Sequence, residues 1–400
     1  MEKSNSLEQG MQFLLRNEET TLFNGDDSLA MLEELMLQKA CRRVAVFTGR
    51  SSADRSGAWA TLLSALRYTD CAVVRFKDIP AEPDMQTVEN MRRFLIQEQP
   101  DCVIALGGGS VMDAAKAAYI TMQTQLPLAE CFGSDRISQA FPGKKFRRII
   151  AIPTTSGTGS ELTQYSNIVN LPGQVKQLIS DPVLVPEVAV LRADFTASMP
   201  RNVTLATGCD ALAHLLEGWL NVNMDDGKEY INQAAAVGVD LLKNYLPQLL
   251  SGAQELQARK AVQIASALGG LTIRNKSTGL PHLLSFSWFG RIEHGIAAAR
   301  LLPAAWRYYI GRPAVAERTQ EIASVLGGST PEEVITAYEK LLDDWQVPRL
   351  KDFPELTAAL LETTCRSAGA NRMKLDLAPR PVPLEASANI LKNILNEAFK

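Results

Sequence analysis

The helical stretch Thr207–Glu217 sets Asp210 and His214 four residues apart, so both project from one helix face. A carboxylate and an imidazole placed this way can grip one divalent cation. A bare D-x-x-x-H is common, and it reads equally as a surface pair. The chain has only three histidines, and the other two, His282 and His294, fall in the segment Pro281–Gly295. Each alone also reads as a satisfied buried histidine. Together, Asp210, His214, His282 and His294 would make a complete set of four protein ligands. Any further coordination position would be left to water or a substrate oxygen.

Two other segments carry donors suited to a phosphate. Gly107-Gly108-Gly109-Ser110 follows the apolar run Cys102–Leu106 and opens a helical pattern. Glycines let the backbone approach a ligand closely, and the free N–H groups of a helix start attract an anion. Ser110 with Asp113 three residues later resembles a capping box. The pattern is not GxGxxG, and a tight packing turn is the alternative. Pro153–Glu161 follows the run Arg148–Pro153 and presents the hydroxyls of Thr154, Thr155, Ser156, Thr158 and Ser160. Ligands of open α/β sheets bind beyond the carboxyl ends of the strands. The alternative is a solvated Ser/Thr loop.

These residues need a scaffold, and the first half of the chain supplies an alternating pattern. The runs 43–48, 71–76, 102–106, 148–153 and 185–191 read as strands. Helix-period stretches such as 59–66 and 88–97 lie between them. Such alternation predicts a parallel sheet covered by helices, with strands buried on both faces. Beyond about residue 200 the pattern is helical: 206–220, 230–242, 254–271, 316–326, 331–342 and 386–399. The expected division is an α/β domain over 1–199 and an all-α domain over 200–400. Four hundred residues fit two domains. A net charge of −3 argues against a dedicated nucleic-acid or polybasic membrane partner. Six cysteines without a CxxC pair read as reduced thiols, and Met1–Ser6 lacks the features of a signal peptide. A cytoplasmic location is therefore expected, and no apolar run is long enough to span a membrane.

Taken jointly, the landmarks resemble the iron-containing (group III) alcohol dehydrogenase family over essentially the whole chain. They are Gly107-Gly108-Gly109-Ser110-x-x-Asp113, Pro153-Thr154-Thr155-x-Gly157-Thr158-Gly159-Ser160-Glu161, Asp181-Pro182, Gly208-x-Asp210-Ala211-x-x-His214, Gly279-x-x-His282 and His294-Gly295. The resemblance implies the dehydroquinate synthase-like fold, with an α/β domain that binds NAD(H) or NADP(H). It implies a helical domain holding one divalent metal ion, Fe²⁺ or Zn²⁺, on Asp210, His214, His282 and His294, with substrate in the cleft between. Gly108, Gly109 and Ser110 would hold the pyrophosphate. Thr154, Thr155 and Thr158 would line the adenine and nicotinamide side, with Asp113 in support and Lys176 in contact with the cofactor. A small aldehyde or alcohol is the expected substrate, and a homodimer the expected assembly.

The chain departs from the family in two places. Gly49 stands where NAD-preferring members carry an aspartate, and Arg50, Ser51 and Ser52 beside it could bind a 2′-phosphate; NADP(H) preference is expected. Phe286 replaces a histidine near the nicotinamide, giving an aromatic substrate wall. Trp288 and Phe289 could extend that wall or pack in the core. Arg274 and Lys276 resemble the phosphonoacetaldehyde reductase branch and could receive an anionic tail, or they could be solvated. The implied activity is aldehyde reduction or alcohol oxidation. The alternatives are a same-scaffold lyase or polyol-phosphate dehydrogenase, or a non-catalytic cofactor-binding protein.

Overall fold

The computed structural model describes residues 3–253 and 255–400. They form two units. One is α/β, over 14–200 and 254–263; the other is helical, over 1–13, 201–253 and 264–400. The division departs from the 1–199 and 200–400 partition in two pieces. The first residues join the helical unit because Gly10 packs on Ile264 and Leu241, and Ser6 donates to Asp240 at 2.7 Å. The piece 254–263 joins the α/β unit, where Gln263 donates to the Arg192 carbonyl at 3.3 Å.

Nine strands lie in the α/β unit: β1 Thr21–Asn24, β2 Arg43–Gly49, β3 Ala72–Ile79, β4 Cys102–Gly107, β5 Gly133–Ser134, β6 Ile150–Pro153, β7 Tyr165–Asn170, β8 Val175–Ser180 and β9 Val188–Leu191. Six form a parallel sheet in the order β1-β9-β6-β4-β2-β3. β4, β6 and β9 are buried throughout and β2 in all but Arg43, as expected of strands covered on both faces. From β2 the chain steps outward to β3, then returns to the other side of β2 for β4 and continues through β6 to β9. The order therefore reverses between β2 and β4, and a ligand crevice opens outside the carboxyl ends at such a reversal. Those ends are Gly49 and Gly107.

The edge strand β1 and the β5-β8-β7 sheet, with its β7–β8 hairpin, do not follow from the apolar runs. β1 has four residues, and the hairpin strands are largely half-buried. After Pro200 all regular elements among the described residues are helical. None of these helices is long and apolar enough to cross a membrane.

Candidate functional site

In the helical unit the ligand candidates come from α2 Arg201–Leu220, α3 Leu280–Ser285 and α4 His294–Tyr309; α1, Gly109–Thr124, belongs to the other unit. α2 is buried on almost every side from Thr204 onward. A helix so enclosed is a core element, and Asp210 and His214 project into protein rather than water. α3 and α4 bring His282 and His294 to the same point. The Nε2 atoms of His214, His282 and His294 lie 3.7, 3.5 and 3.9 Å from Asp210 Oδ1. The His214 and His282 rings stack with centroids 4.6 Å apart, and His294 meets His282 edge-on at 5.1 Å.

This donor set fits a metal ion. Tetrahedral arms of about 2.1 Å give ligand–ligand edges of about 3.4 Å, close to the separations from Asp210 Oδ1; Asp210, His214 and His282 bring ligand atoms within 4.8 Å of one another, and His294 stands outside that tight group at 3.9 Å from Asp210. Buried Asp210 Oδ1 and His282 Nε2 have no hydrogen-bond partner among the described residues, although buried polar atoms are nearly always satisfied. Burial opposes charge on Asp210, but the charges of His214, His282 and His294 outweigh it and hold the carboxyl well below its usual range. Burial likewise pushes His282 down. Glu217 and then Asp210 reverse that and raise it to about 9. The cluster is built to hold positive charge, whether protons or a cation.

Two further residues, Glu217 and Ser285, orient the candidate ligand imidazoles. Glu217 Oε1 bonds His282 Nδ1, and its Oε2 accepts the Gly279 N–H at 2.7 Å. A carboxylate on Nδ1 places the proton there and leaves Nε2 as the donor. Glu217 lies three residues after His214 on the same helix face, a spacing that could have revealed it. Ser285 Oγ donates to the His282 carbonyl at 2.8 Å and lies 3.0 Å from His294 Nδ1. Its hydrogen is already committed, so it accepts from His294 Nδ1–H, again leaving Nε2 outward.

In the α/β unit the two hydroxyl- and glycine-rich turns meet. A Cβ at Gly109 would lie 2.6 Å from Thr158 Cγ2, and one at Gly108 would lie 3.1 Å from Thr155 Oγ1. Only glycine lets the start of α1 press against that loop. Thr154 donates its N–H to the Gly107 carbonyl at 2.9 Å. The buried hydroxyls of Thr154 and Ser156 lack hydrogen-bond partners among the described residues. Gly49 ends β2 at the strand-order reversal and Arg50, Ser51 and Ser52 follow it, with Arg50 and Ser51 exposed. The sequence-derived phosphate-loop, hydroxyl-loop and ribose-loop residues thus gather at the carboxyl end of one sheet.

The capping-box reading of Ser110 and Asp113 and the anion-receiving reading of Lys276 are corrected. α1 is capped by Gly108 rather than by a Ser110–Asp113 box. Ser110 Oγ donates to the Ala81 carbonyl instead. The Asp113 carboxylate accepts from Ser160 Oγ at 2.7 Å and the Asn167 N–H at 2.9 Å, so it clamps the loop from behind. Lys176 pairs with Glu82 at 3.0 Å. Lys276 is fully buried and bonded to Asp225 and Asn232, so it cannot receive an anionic tail. Trp288 is 1% exposed and donates to Thr364 Oγ1 at 2.9 Å, which makes it a core residue. Phe286 remains half-buried, its ring 6.2 Å from His294. Lys116, which the sequence reading did not single out, is buried within 3.0 Å of the Ser160, Thr163 and Tyr165 carbonyls and 2.9 Å from Ser160 Oγ.

The model for iron-containing alcohol dehydrogenase matches residues 19–193, and that for the C-terminal part of the family matches 204–372. The chain is 30% identical over 346 residues to long-chain-alcohol dehydrogenase 1 of Geobacillus thermodenitrificans, covering 84% of each. It is 29% identical over 399 residues to 1-propanol dehydrogenase PduQ of Salmonella typhimurium, covering 94% of this chain and 98% of the relative. The iron-containing alcohol dehydrogenase of Thermococcus thioreducens has the same fold, with a TM-score of 0.84 at 25% identity over 94% of this chain and 98% of its own. The chain belongs to the iron-containing alcohol dehydrogenase family and is an NAD(P)-dependent oxidoreductase acting on alcohols.

Proposed function

We propose that the chain interconverts a small uncharged aldehyde and its alcohol, using NADP(H) and one divalent ion, Fe²⁺ or Zn²⁺, held by Asp210, His214, His282 and His294. The observation that carries this reading is the convergence of three imidazole Nε2 atoms within 3.9 Å of one buried carboxylate oxygen. When bound, the ion supplies Lewis acidity toward a carbonyl oxygen, and the nicotinamide supplies the hydride. Asp210 offsets part of the ionic charge. Glu217 and Ser285 hold the tautomers of His282 and His294, so that neutral Nε2 lone pairs face the ion. Gly108, Gly109 and Ser110 would receive the pyrophosphate on backbone N–H groups at the start of α1. Thr154, Thr155 and Thr158 would line the cofactor beside them, with Asp113 fixing their loop.

Gly49 in place of an acid, followed by Arg50, Ser51 and Ser52, supports NADP(H) over NAD(H), since no carboxylate there repels a 2′-phosphate. Phe286 gives the substrate an apolar wall, and the burial of Lys276 removes its claim to recognise an anionic tail. Relatives named for 1-propanol and long-chain alcohols agree with an uncharged substrate. The test is NADPH and NADH oxidation with a series of short aldehydes, after loading with Fe²⁺ or Zn²⁺. Net NADPH consumption with equimolar alcohol is expected, and it separates this reading from a lyase that uses nicotinamide transiently. Protein with metal and cofactor demonstrably bound but no turnover across the series would overturn it.

A further inference from the structure

α3, which carries His282, is six residues long. A helix that short has no stability of its own, so its placement must be imposed from outside. Its entry is fixed at consecutive backbone positions. The Gly279 N–H is held by Glu217 Oε2 at 2.7 Å, and the Leu280 N–H by the Tyr309 hydroxyl at 2.8 Å. Two residues before Gly279, Ser277 sits at φ +59° as the left-handed residue that ends the helix Leu256–Lys276, its N–H returned to the Ile273 carbonyl at 2.7 Å. The side chain that grips this turn comes from the short helix α5 Arg372–Asp376, about a hundred residues later in the chain. Lys374 is 2% exposed. Its Nζ donates to Ser277 Oγ at 2.8 Å, Thr278 Oγ1 at 2.9 Å and the Thr278 carbonyl at 3.0 Å.

All three ammonium hydrogens are therefore spent on one turn; burial lowers the ammonium pKa to about 8, and the nearby Glu217 charge offsets part of that burial cost. Asn371 caps α5 by accepting the Lys374 N–H at 3.1 Å, so the lysine is anchored at its own backbone as well. We propose that Lys374 is a positioning residue for the metal centre, setting through the Ser277–Thr278 turn the angle at which His282 meets the ion. The proposal rests on the reading of Asp210, His214, His282 and His294 as ligands. It makes the metal affinity depend on a residue that touches neither ion nor ligand.

The test compares wild-type protein with Lys374→Met, Lys374→Gln and Thr278→Val. Three readouts are used: Zn²⁺ affinity by chelator competition, the visible absorption of the Co²⁺-loaded protein, and melting of the metal-free form. Lys374→Met is expected to weaken Zn²⁺ binding about 10–100-fold, as loss of an outer partner typically does, and to alter the Co²⁺ band. Lys374→Gln, whose amide keeps two N–H donors for the turn without the charge, should recover part of the affinity. Thr278→Val, which keeps the charge but removes one acceptor, should weaken binding less. It decides the matter if Lys374→Met does not fold. Lower melting with unchanged Zn²⁺ affinity and Co²⁺ spectrum would make the lysine merely structural and overturn the inference. So would unchanged affinity in a Thr278→Val protein when Lys374→Met is unfolded. Wild-type protein that takes up neither ion overturns the ligand reading itself, a distinct result.

Discussion

Replacing Gly295 by alanine should dismantle the metal site through one methyl group. Gly295 follows the proposed ligand His294 in the first turn of α4, where that helix crosses α2. A Cβ there would lie 2.0 Å from the Ala206 carbonyl oxygen and 2.7 Å from both N and Cβ of Asp210. Two of these atoms are backbone, so no rotamer change relieves the contact, and the helices must separate. Ordinary contact begins near 3.4 Å, so α4 must retreat by about 1.4 Å at that point. His294 Nε2 is already 3.9 Å from Asp210 Oδ1. Two metal–ligand arms of about 2.1 Å span at most about 4.2 Å, and the same retreat carries the pair past 5 Å by roughly a few tenths. His294 then drops out of the ligand set. The overpacking itself costs about 1–3 kcal/mol or more, which lowers the melting temperature of the metal-free protein by several degrees. The assay is metal content after dialysis against a chelator, paired with melting of the metal-free variant. A Gly295→Ala protein that retains one equivalent of ion and melts with the wild type would refute the reasoning, because the close helix crossing would then not be what holds His294 in place.

Glu217→Gln, which removes the charge on His282 Nδ1, should weaken ion binding about 10–100-fold in chelator competition; unaltered affinity counts against its role. His282 is raised to about 9 in the metal-free protein, so near neutral pH an incoming ion must expel a proton. Zn²⁺ uptake should release close to one proton and tighten about tenfold per pH unit up to that value; calorimetry in two buffers of different ionisation enthalpy measures it, and zero release contradicts it. Burial raises Glu161 to about 7 from 4.5, so the folded state binds more protons in that interval. Stability should therefore fall as pH rises from about 4.5 to 7, and Glu161→Gln should abolish about 3 kcal/mol of that fall in urea denaturation. Burial lowers Lys116 from 10.5 to about 8; there the unfolded state binds more protons, and stability should recover above about pH 8. Gly49→Asp should shift preference from NADPH toward NADH, because a Cβ there has its nearest neighbours at 3.6–3.7 Å and fits without rearrangement; an unchanged ratio of kcat/KM values would exclude a ribose-phosphate role for this loop.

The elements that could be read from the chain are those whose burial is uniform. β2, β4, β6 and β9 are apolar runs because helices cover both faces of the sheet, and an apolar run is visible without knowing its partners. β1 escaped because four residues at a sheet edge make no pattern. The β7–β8 hairpin escaped because half-buried strands mix apolar and polar residues with no clean alternation. Lys116 escaped for a related reason: a lysine on a helix reads as solvent-facing. Here the segment Ser160–Tyr165 wraps over it, and its ammonium is consumed by carbonyls from residues that are distant in sequence.

The cluster of Asp210 with the three histidines could be picked out because scarcity singles it out: three histidines in 400 residues leave few combinations. Nothing so restrictive marks the groups that aim them. Of these, only Glu217 shares a helix face with two ligands and is within reach of a spacing argument. Ser285 acts through a hydrogen committed to one carbonyl. Lys374 acts through a turn about a hundred residues away, and Gly295 through the absence of a Cβ against a neighbouring backbone. A ligand's identity is a local chemical fact, whereas its direction is a property of what packs around it. The directional constraints on His282 and His294 therefore lie in three dimensions, where one carboxylate and one hydroxyl decide which nitrogen of each ring faces the proposed ion, and one missing methyl group lets α4 bring His294 close to Asp210.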